Sequence, residues 1–303
     1  MQTARHWLIL TALLALAACH KPAAGGEANA PDPAEQDVVL AAPDVVSDDD
    51  ATDLMTGVDG ADAAADVSPA DAVMASDAAA PAPNVLFIGN SYTFVNDLPT
   101  MTVLFAQAGG VTLQQTSVTQ GGATLAVLIA QTQAVAMIAQ GGWTHVVLQG
   151  QSLEPAFDVA SFLASAHVLA DDAHKAGAAV SFYQTWPRKV GDAVYQEPMA
   201  GGSPQSLAQL LHDGYEKAAQ QNGGVRVPVG DAWMLTLAQH PEIALYQADG
   251  SHPLVAGTYL TACVFAVTLF GVNGSAVHWA PDGLPAKDAT ALRAMCRDAT
   301  SAP

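Results

Sequence analysis

Three side chains in this sequence could carry out nucleophilic chemistry together. Ser91 follows the apolar run 84–88 and Gly89, so it could project from a tight turn at the end of a buried strand. A serine hydroxyl is a weak nucleophile until a neighbouring base takes its proton. Asp249 and His252 stand three residues apart, just before an apolar run, and such a pair can supply a base and the carboxylate that orients it.

The elements that would position these residues alternate along the chain. Apolar or alternating runs predict strands at 84–88, 111–118, 145–148, 179–183 and 225–229. Helical periodicity, mostly closed by glycine, predicts helices at 98–108, 124–139, 156–176, 203–222 and 255–270. This alternation is typical of an α/β fold of three layers, α/β/α, with a mostly parallel sheet of roughly five strands.

Several polar segments fall where predicted strands end. In an open α/β sheet, ligands bind at the carboxyl ends of the strands. The segments 89–91, 119–122 and 149–152 all lie at such ends, so we expect them to converge. A long connection without periodicity, 186–202, follows another strand, and loops of this length are often functional.

Four segments in chain order resemble the conserved blocks of the SGNH (GDSL-like) hydrolase superfamily. Residues 88–93, IGNSYT, resemble the first block, with Ser91 at the nucleophile and Asn90 in place of the usual aspartate. The segment DGSHP resembles the last block, with His252 at the base and Asp249 at its partner. The resemblance implies an SGNH or flavodoxin-like fold over residues 84–303 and esterase activity through an acyl-enzyme.

The two middle blocks carry the groups that hold the oxyanion in that superfamily. Gly122, or alternatively Gly121, matches the glycine that offers a backbone N–H. Gln151 matches the asparagine whose amide donates a hydrogen bond, and it is longer by one methylene. With the Ser91 N–H, these groups form the oxyanion site that the resemblance implies. GNSYT-, QGQS- and DGSHP-like blocks together resemble a little-characterised branch of the superfamily.

The substrate is less constrained by the sequence than the chemistry is. The resemblance implies an ester substrate and no cofactor, and no Cys or His spacing suggests a metal site. An acetylated glycan is the substrate we expect, with Asn90, Trp186 and Arg188 as candidate contacts. One alternative is a catalytically weak glycan-binding protein of the cell envelope. Another is a structural envelope protein, in which Ser91 and His252 would lie far apart.

The first 83 residues predict export and anchoring rather than a fold. Residues 1–19 have a basic start, an apolar middle and small residues before Cys19, which resembles a bacterial lipoprotein signal with Cys19 as the lipidated residue. Residues 20–83 carry fourteen acidic residues against one basic residue and lack aromatic side chains. Such a segment cannot offset the entropy of ordering, so we expect a disordered tether. Cys19 is followed by His20 and not by the aspartate that usually retains such lipoproteins in the inner membrane, so we expect an anchor in the outer membrane. The net charge of −19 argues against nucleic acid as a partner.

Two further cysteines, Cys263 and Cys296, lie in the predicted domain. In an exported domain two cysteines can form a disulfide. Cys263 stands in an apolar run, so a buried free thiol is an equal alternative.

Overall fold

The computed structural model describes residues 82–301. The predicted signal with its lipidated Cys19 and nearly all of the predicted tether lie outside the described residues and stay predictions. Within residues 82–301, none of the helices is both long enough and apolar enough to cross a membrane.

Five parallel strands form one sheet. They are β1 Asn84–Gly89, β2 Gln114–Thr119, β3 His145–Leu148, β4 Ala179–Tyr183 and β5 Val225–Val227. The strand order is β2-β1-β3-β4-β5, and every pair is parallel. The predicted parallel five-stranded sheet is therefore confirmed. The order reverses between β1 and β3, which is the point where ligands bind in sheets of this kind.

Ten α-helices connect or follow these strands in the part of the chain that is described. They are α1 Ser91–Phe94, α2 Leu98–Ala108, α3 Leu125–Gln131, α4 Ala134–Gln140, α5 Glu154–Phe157, α6 Val159–Lys175, α7 Pro204–Gln221, α8 Val229–Gln239, α9 Val255–Phe270 and α10 Ala286–Thr300. Short 3-10 turns lie at Val95–Asp97, Ala193–Gln196, Pro198–Ala200 and Gly274–Ala276.

Two predicted helices are each broken into two, and a polar side chain that bonds nearby backbone lies at each break. The prediction of one helix over 124–139 is wrong because the backbone is extended at Thr132, whose Oγ1 accepts a hydrogen bond from the N–H of Ala134 at 3.1 Å just before α4 begins. The predicted helix over 156–176 begins earlier, as α5, and restarts at Asp158, whose side chain caps α6. Polar side chains that bond nearby backbone compete with continuous helix in this way.

Alternate residues of the strands bury against different helix layers. Val85, Phe87 and Val147 pack in one core cluster with α2, α8, α9 and α10. Leu86 and Ile88 point to the opposite face and pack with α3, α4, α6 and α7. Because successive side chains of a strand point to opposite faces, both helix layers are buried against one sheet. The three-layer α/β/α fold is thus confirmed.

A disulfide joins two helices of the first layer. Cys263 on α9 and Cys296 on α10 are bonded, with their Cα atoms 6.2 Å apart. Both cysteines are fully buried in the core. Of the two alternatives that the sequence leaves open, the structure has the disulfide.

We expect the double variant Cys263→Ala with Cys296→Ala to lower the free energy of unfolding by about 2–4 kcal/mol, because the bond closes a loop over a sequence separation of 33 and restricts the unfolded chain. Urea unfolding of the oxidised parent and the variant measures the difference. The reduced parent serves as the matched control, and it should lose a similar amount. An unchanged midpoint for both would contradict a stabilising role.

Candidate active site

Ser91 stands at the carboxyl end of β1, on a turn held by amide side chains. Asn90 Oδ1 accepts a hydrogen bond from the N–H of Tyr92 at 3.0 Å, and its Nδ2 donates to the carbonyl of Ala123 at 3.1 Å. Gly89 is required before this turn, since a Cβ there would lie 2.3 Å from Thr93 Oγ1. The serine is thereby presented at the edge of the sheet, at the first residue of α1.

His252 and Asp249 complete a hydrogen-bonded chain with Ser91. The distance from His252 Nε2 to Ser91 Oγ is 2.8 Å, and the distance from His252 Nδ1 to Asp249 Oδ2 is 2.5 Å. Ser91 and His252 are 161 positions apart in the sequence, yet the fold brings them together. The alternative of a structural envelope protein required Ser91 and His252 to lie far apart, and this distance contradicts it.

Asp249 is set up to remain ionised. Burial alone would raise the pKa of Asp249, but the hydrogen bond from the His252 ring and those from the N–H groups of Ser251 and His252 outweigh it and hold the pKa below its usual value. An ionised Asp249 accepts the Nδ1–H of His252. The lone pair of the ring is then on Nε2, which faces the Ser91 hydroxyl.

A stack of aromatic rings joins the Ser91 turn to the His252 loop. Tyr92 stacks on Trp186 with ring centroids 4.4 Å apart, and Trp186 stacks on Trp233 at 4.0 Å. Trp186 Nε1 donates to the carbonyl of Ser251 at 3.0 Å, and the hydroxyls of Tyr92 and Ser251 are 2.8 Å apart. Stacked rings of this size give a rigid contact, so the residues beside Ser91 and His252 are held together.

The three candidate oxyanion donors lie in loops that bond to one another. The loop containing Gly122 is fastened to the Ser91 turn through the Asn90–Ala123 bond. Gln151 Oε1 accepts from the N–H of Leu153 at 2.9 Å, which leaves Nε2 as the donor end of its amide. Within residues 82–301, neither Gln151 Nε2 nor the N–H of Ser91 or Gly122 has a protein acceptor. These groups are free to donate to a negatively charged oxygen.

Two buried residues that the sequence analysis missed hold these loops in place. Gln149 Oε1 accepts hydrogen bonds from the N–H of Asn90 and from Thr93 Oγ1, both at 2.9 Å. Glu154 is 4% exposed, and its Oε2 accepts from the N–H of Gln151 at 2.8 Å and of Leu125 at 3.3 Å. Glu154 could have been suspected from its position three residues after Gln151. Nothing in the sequence distinguishes Gln149 as a brace.

The structure places the three candidate substrate contacts in different surroundings. Asn90 is 2% exposed with both polar atoms of its side chain occupied, so it shapes the turn instead of facing a substrate. Trp186 is fully buried in the ring stack, so its assignment as a substrate contact is also wrong. Arg188 is half-buried and donates to Ser152 Oγ at 2.9 Å as well as to the hydroxyls of Tyr92 and Ser251, beside the Ser91–His252 pair.

Over residues 82–301 no group of three or more His, Cys, Asp or Glu side chains is arranged to hold a metal ion. The chemistry that the arrangement itself offers is proton transfer and nucleophilic attack at Ser91.

Comparison with known proteins adds a family relationship. A protein from Slackia heliotrinireducens, described provisionally as an SGNH hydrolase, is 30% identical, with a TM-score of 0.54 over 62% of this chain and 100% of its own. A DUF4886 family protein from Bacteroides uniformis is 18% identical, with a TM-score of 0.63 over 72% of this chain and 95% of its own, and this likeness bears on the fold alone. No family model matches the chain, and no curated protein matches it.

Glu154 provides a pH-dependent test of how the loops that carry the candidate oxyanion donors are held. Burial raises the pKa of Glu154 above its ordinary value of 4.5, although the two backbone N–H groups oppose the shift. Because the folded state binds this proton more tightly than the unfolded state, the stability from Glu154 is full below pH 4.5 and is lost as pH rises through the raised pKa. We therefore expect Glu154→Gln to become more stable relative to the parent as pH rises from about 4 to 7.

Urea unfolding at several pH values measures this difference, with the exposed Glu197→Gln as the matched control. Glu154→Ala should lose about 1–3 kcal/mol near pH 4, because two N–H groups lose their acceptor, and this loss should shrink as pH rises. A stability difference between parent and Glu154→Gln that does not change with pH would contradict the shifted pKa.

Proposed function

The chain belongs to the SGNH hydrolase superfamily, and from the geometry of its site we propose that it is a serine esterase with Ser91 as nucleophile. The single observation that supports this most directly is the 2.8 Å distance between Ser91 Oγ and His252 Nε2. A base at hydrogen-bond distance from the hydroxyl is the arrangement that nucleophilic catalysis requires.

The proposed reaction has two halves. His252 Nε2 takes the proton of Ser91 while Oγ attacks the carbonyl carbon of the ester, and Asp249 stabilises the imidazolium that forms. His252 then gives the proton to the leaving oxygen, so the alcohol departs and an ester of Ser91 remains. Water attacks this acyl-enzyme, His252 takes the proton of the water, and the acid leaves as Ser91 regains its hydrogen.

The oxyanion formed in each half would be held by three donors. They are the N–H groups of Ser91 and Gly122 and the side-chain amide of Gln151. Two observations support this assignment: each donor lacks an acceptor among residues 82–301, and the loops that carry them are bonded together through Asn90 and Glu154. Fixed donors of this kind lower the barrier because they need no rearrangement as charge develops.

An acetylated glycan in the cell envelope is the substrate that we propose, with the chain anchored through lipid on Cys19 to the outer membrane. The Cys263–Cys296 disulfide supports export, since such bonds persist in oxidising compartments. A long acidic tether would let an anchored domain reach a polymer at a distance from the membrane. The alternative, a catalytically weak glycan-binding protein, would bind its ligand at the same site but predicts no covalent reaction at Ser91.

We expect the parent to hydrolyse p-nitrophenyl acetate and Ser91→Ala to lose the activity by about 10⁴-fold or more, because the nucleophile is gone. Release of p-nitrophenolate measures the rate, and labelling by a fluorophosphonate, located by mass spectrometry, identifies the reacting serine. The exposed Ser275→Ala is the matched control and should retain the parent rate. A folded parent that neither hydrolyses the ester nor takes the label would favour the binding protein.

Gln151→Ala should lower kcat for the same ester by about 100- to 1000-fold with little change in KM, because the amide acts on the oxyanion of the transition state. Gln151→Asn, which keeps an amide on a shorter side chain, should lose less. Steady-state kinetics measure both, with the exposed Gln205→Ala as control. A kcat that Gln151→Ala leaves unchanged would remove Gln151 from the oxyanion site.

A further inference from the structure

Arg188 contacts one residue in each of three motif blocks, and each of these residues is the chain neighbour of a candidate site residue. Its Nη1 donates to the hydroxyls of Tyr92 and Ser251, and its Nη2 donates to Ser152 Oγ at 2.9 Å. Tyr92 follows the nucleophile, Ser251 precedes the base, and Ser152 follows Gln151. The guanidinium therefore lies beside the candidate catalytic centre and not on a remote surface.

The positive charge of Arg188 is not neutralised by the described residues. No carboxylate of residues 82–301 lies within ion-pair distance of it, whereas Arg226 pairs with Glu216 and Asp231. The carboxylate of Asp249 is already occupied by His252 and by two backbone N–H groups. The three partners of Arg188 are neutral hydroxyls. A half-buried cation without a counter-ion has lost hydration that an anion could replace.

The guanidinium also retains donors for such an anion. It has five N–H groups, and the hydroxyl contacts use both of those on Nη1 and one on Nη2. The Nε–H and one Nη2–H have no acceptor within residues 82–301. Two N–H groups of a planar guanidinium match the two oxygens of a carboxylate.

We propose that Arg188 binds a carboxylate of the substrate, so that the site selects esters whose alcohol or acyl half carries one. This inference rests on the proposed esterase function for its catalytic consequence, while the binding of the anion does not depend on turnover. For an acetylated glycan, the selected class would be one built on acidic sugars. The competing explanation is that Arg188 only holds the three loops together, in which case removing it would affect charged and neutral esters equally.

The kinetic experiment uses two matched pairs of esters and the full chain. 4-Acetoxybenzoate and 4-acetoxybenzamide differ by a carboxylate in the alcohol half, and the 4-nitrophenyl monoester of succinate and 4-nitrophenyl butyrate differ by one in the acyl half. The variants are Arg188→Gln, Arg188→Lys and, as a control, Lys189→Gln, which removes the exposed positive charge of the next residue.

For one of the pairs, we expect the parent to favour the charged ester, and Arg188→Gln to reduce the ratio of kcat/KM for charged over neutral ester by about tenfold or more, the size expected for charge-assisted hydrogen bonds. Arg188→Lys should keep part of the preference, and Lys189→Gln should keep all of it. The pair that responds identifies the half of the substrate that Arg188 contacts. An equal loss for charged and neutral esters would overturn the inference and leave Arg188 as a brace.

A binding experiment separates this inference from the proposed function. In Ser91→Ala, calorimetry should show tighter binding of the charged ester of the responding pair by about tenfold, and adding Arg188→Gln should abolish the difference. If the parent hydrolyses no ester and this selective binding is still found in either pair, the esterase proposal fails while the Arg188 inference stands. Equal binding of charged and neutral esters in both pairs overturns the inference whatever the kinetics show.

Discussion

The site depends above all on the ring stack that fixes the His252 loop against the Ser91 turn. A parallel sheet brings the carboxyl ends of β1, β2 and β3 to one side, and this places the loops that carry Ser91, Gly122 and Gln151 next to one another. His252 does not follow a strand, so the sheet alone does not position it. Trp186 positions the His252 loop, because it stacks on Tyr92 and donates a hydrogen bond to the carbonyl of Ser251. These two contacts of Trp186 hold His252 where its ring lies 2.8 Å from Ser91 Oγ.

Amide side chains replace the carboxylate that usually stands before the nucleophile in this superfamily. A carboxylate at position 90 could accept the N–H of Tyr92 but could not donate to the carbonyl of Ala123, as Asn90 does. Gln149 adds an acceptor for the N–H of Asn90. The turn is therefore held by neutral hydrogen bonds in which Asn90 both donates and accepts, and it adds no negative charge beside the candidate oxyanion donors.

Much of the sheet and of the candidate site could be predicted from the sequence, because both rest on local patterns. The apolar runs that became β1, β3 and β4 are continuous and short, as expected for strands buried on both faces. Ser91 lies in one short motif, and Asp249 and His252 lie in another, so these residues can be identified from the sequence.

The rest depends on tertiary contacts that no local pattern records. Helix α10 was not predicted because its buried side is narrow, formed by residues such as Leu292 and Met295, within a mostly polar segment. The burial of Trp186 and the bracing role of Gln149 come from partners far away in the sequence. Residues in such positions look like loop residues until the chain is folded.

The single guanidinium shared by Tyr92, Ser152 and Ser251 also has a consequence for how this site can evolve. Each hydroxyl accepts from Arg188, so losing one of them leaves a half-buried N–H without an acceptor. A substitution at one of the three positions is then tolerated only with a compensating change at another or at Arg188. Across relatives, we expect these four positions, which lie in separate segments of the chain, to covary as one unit.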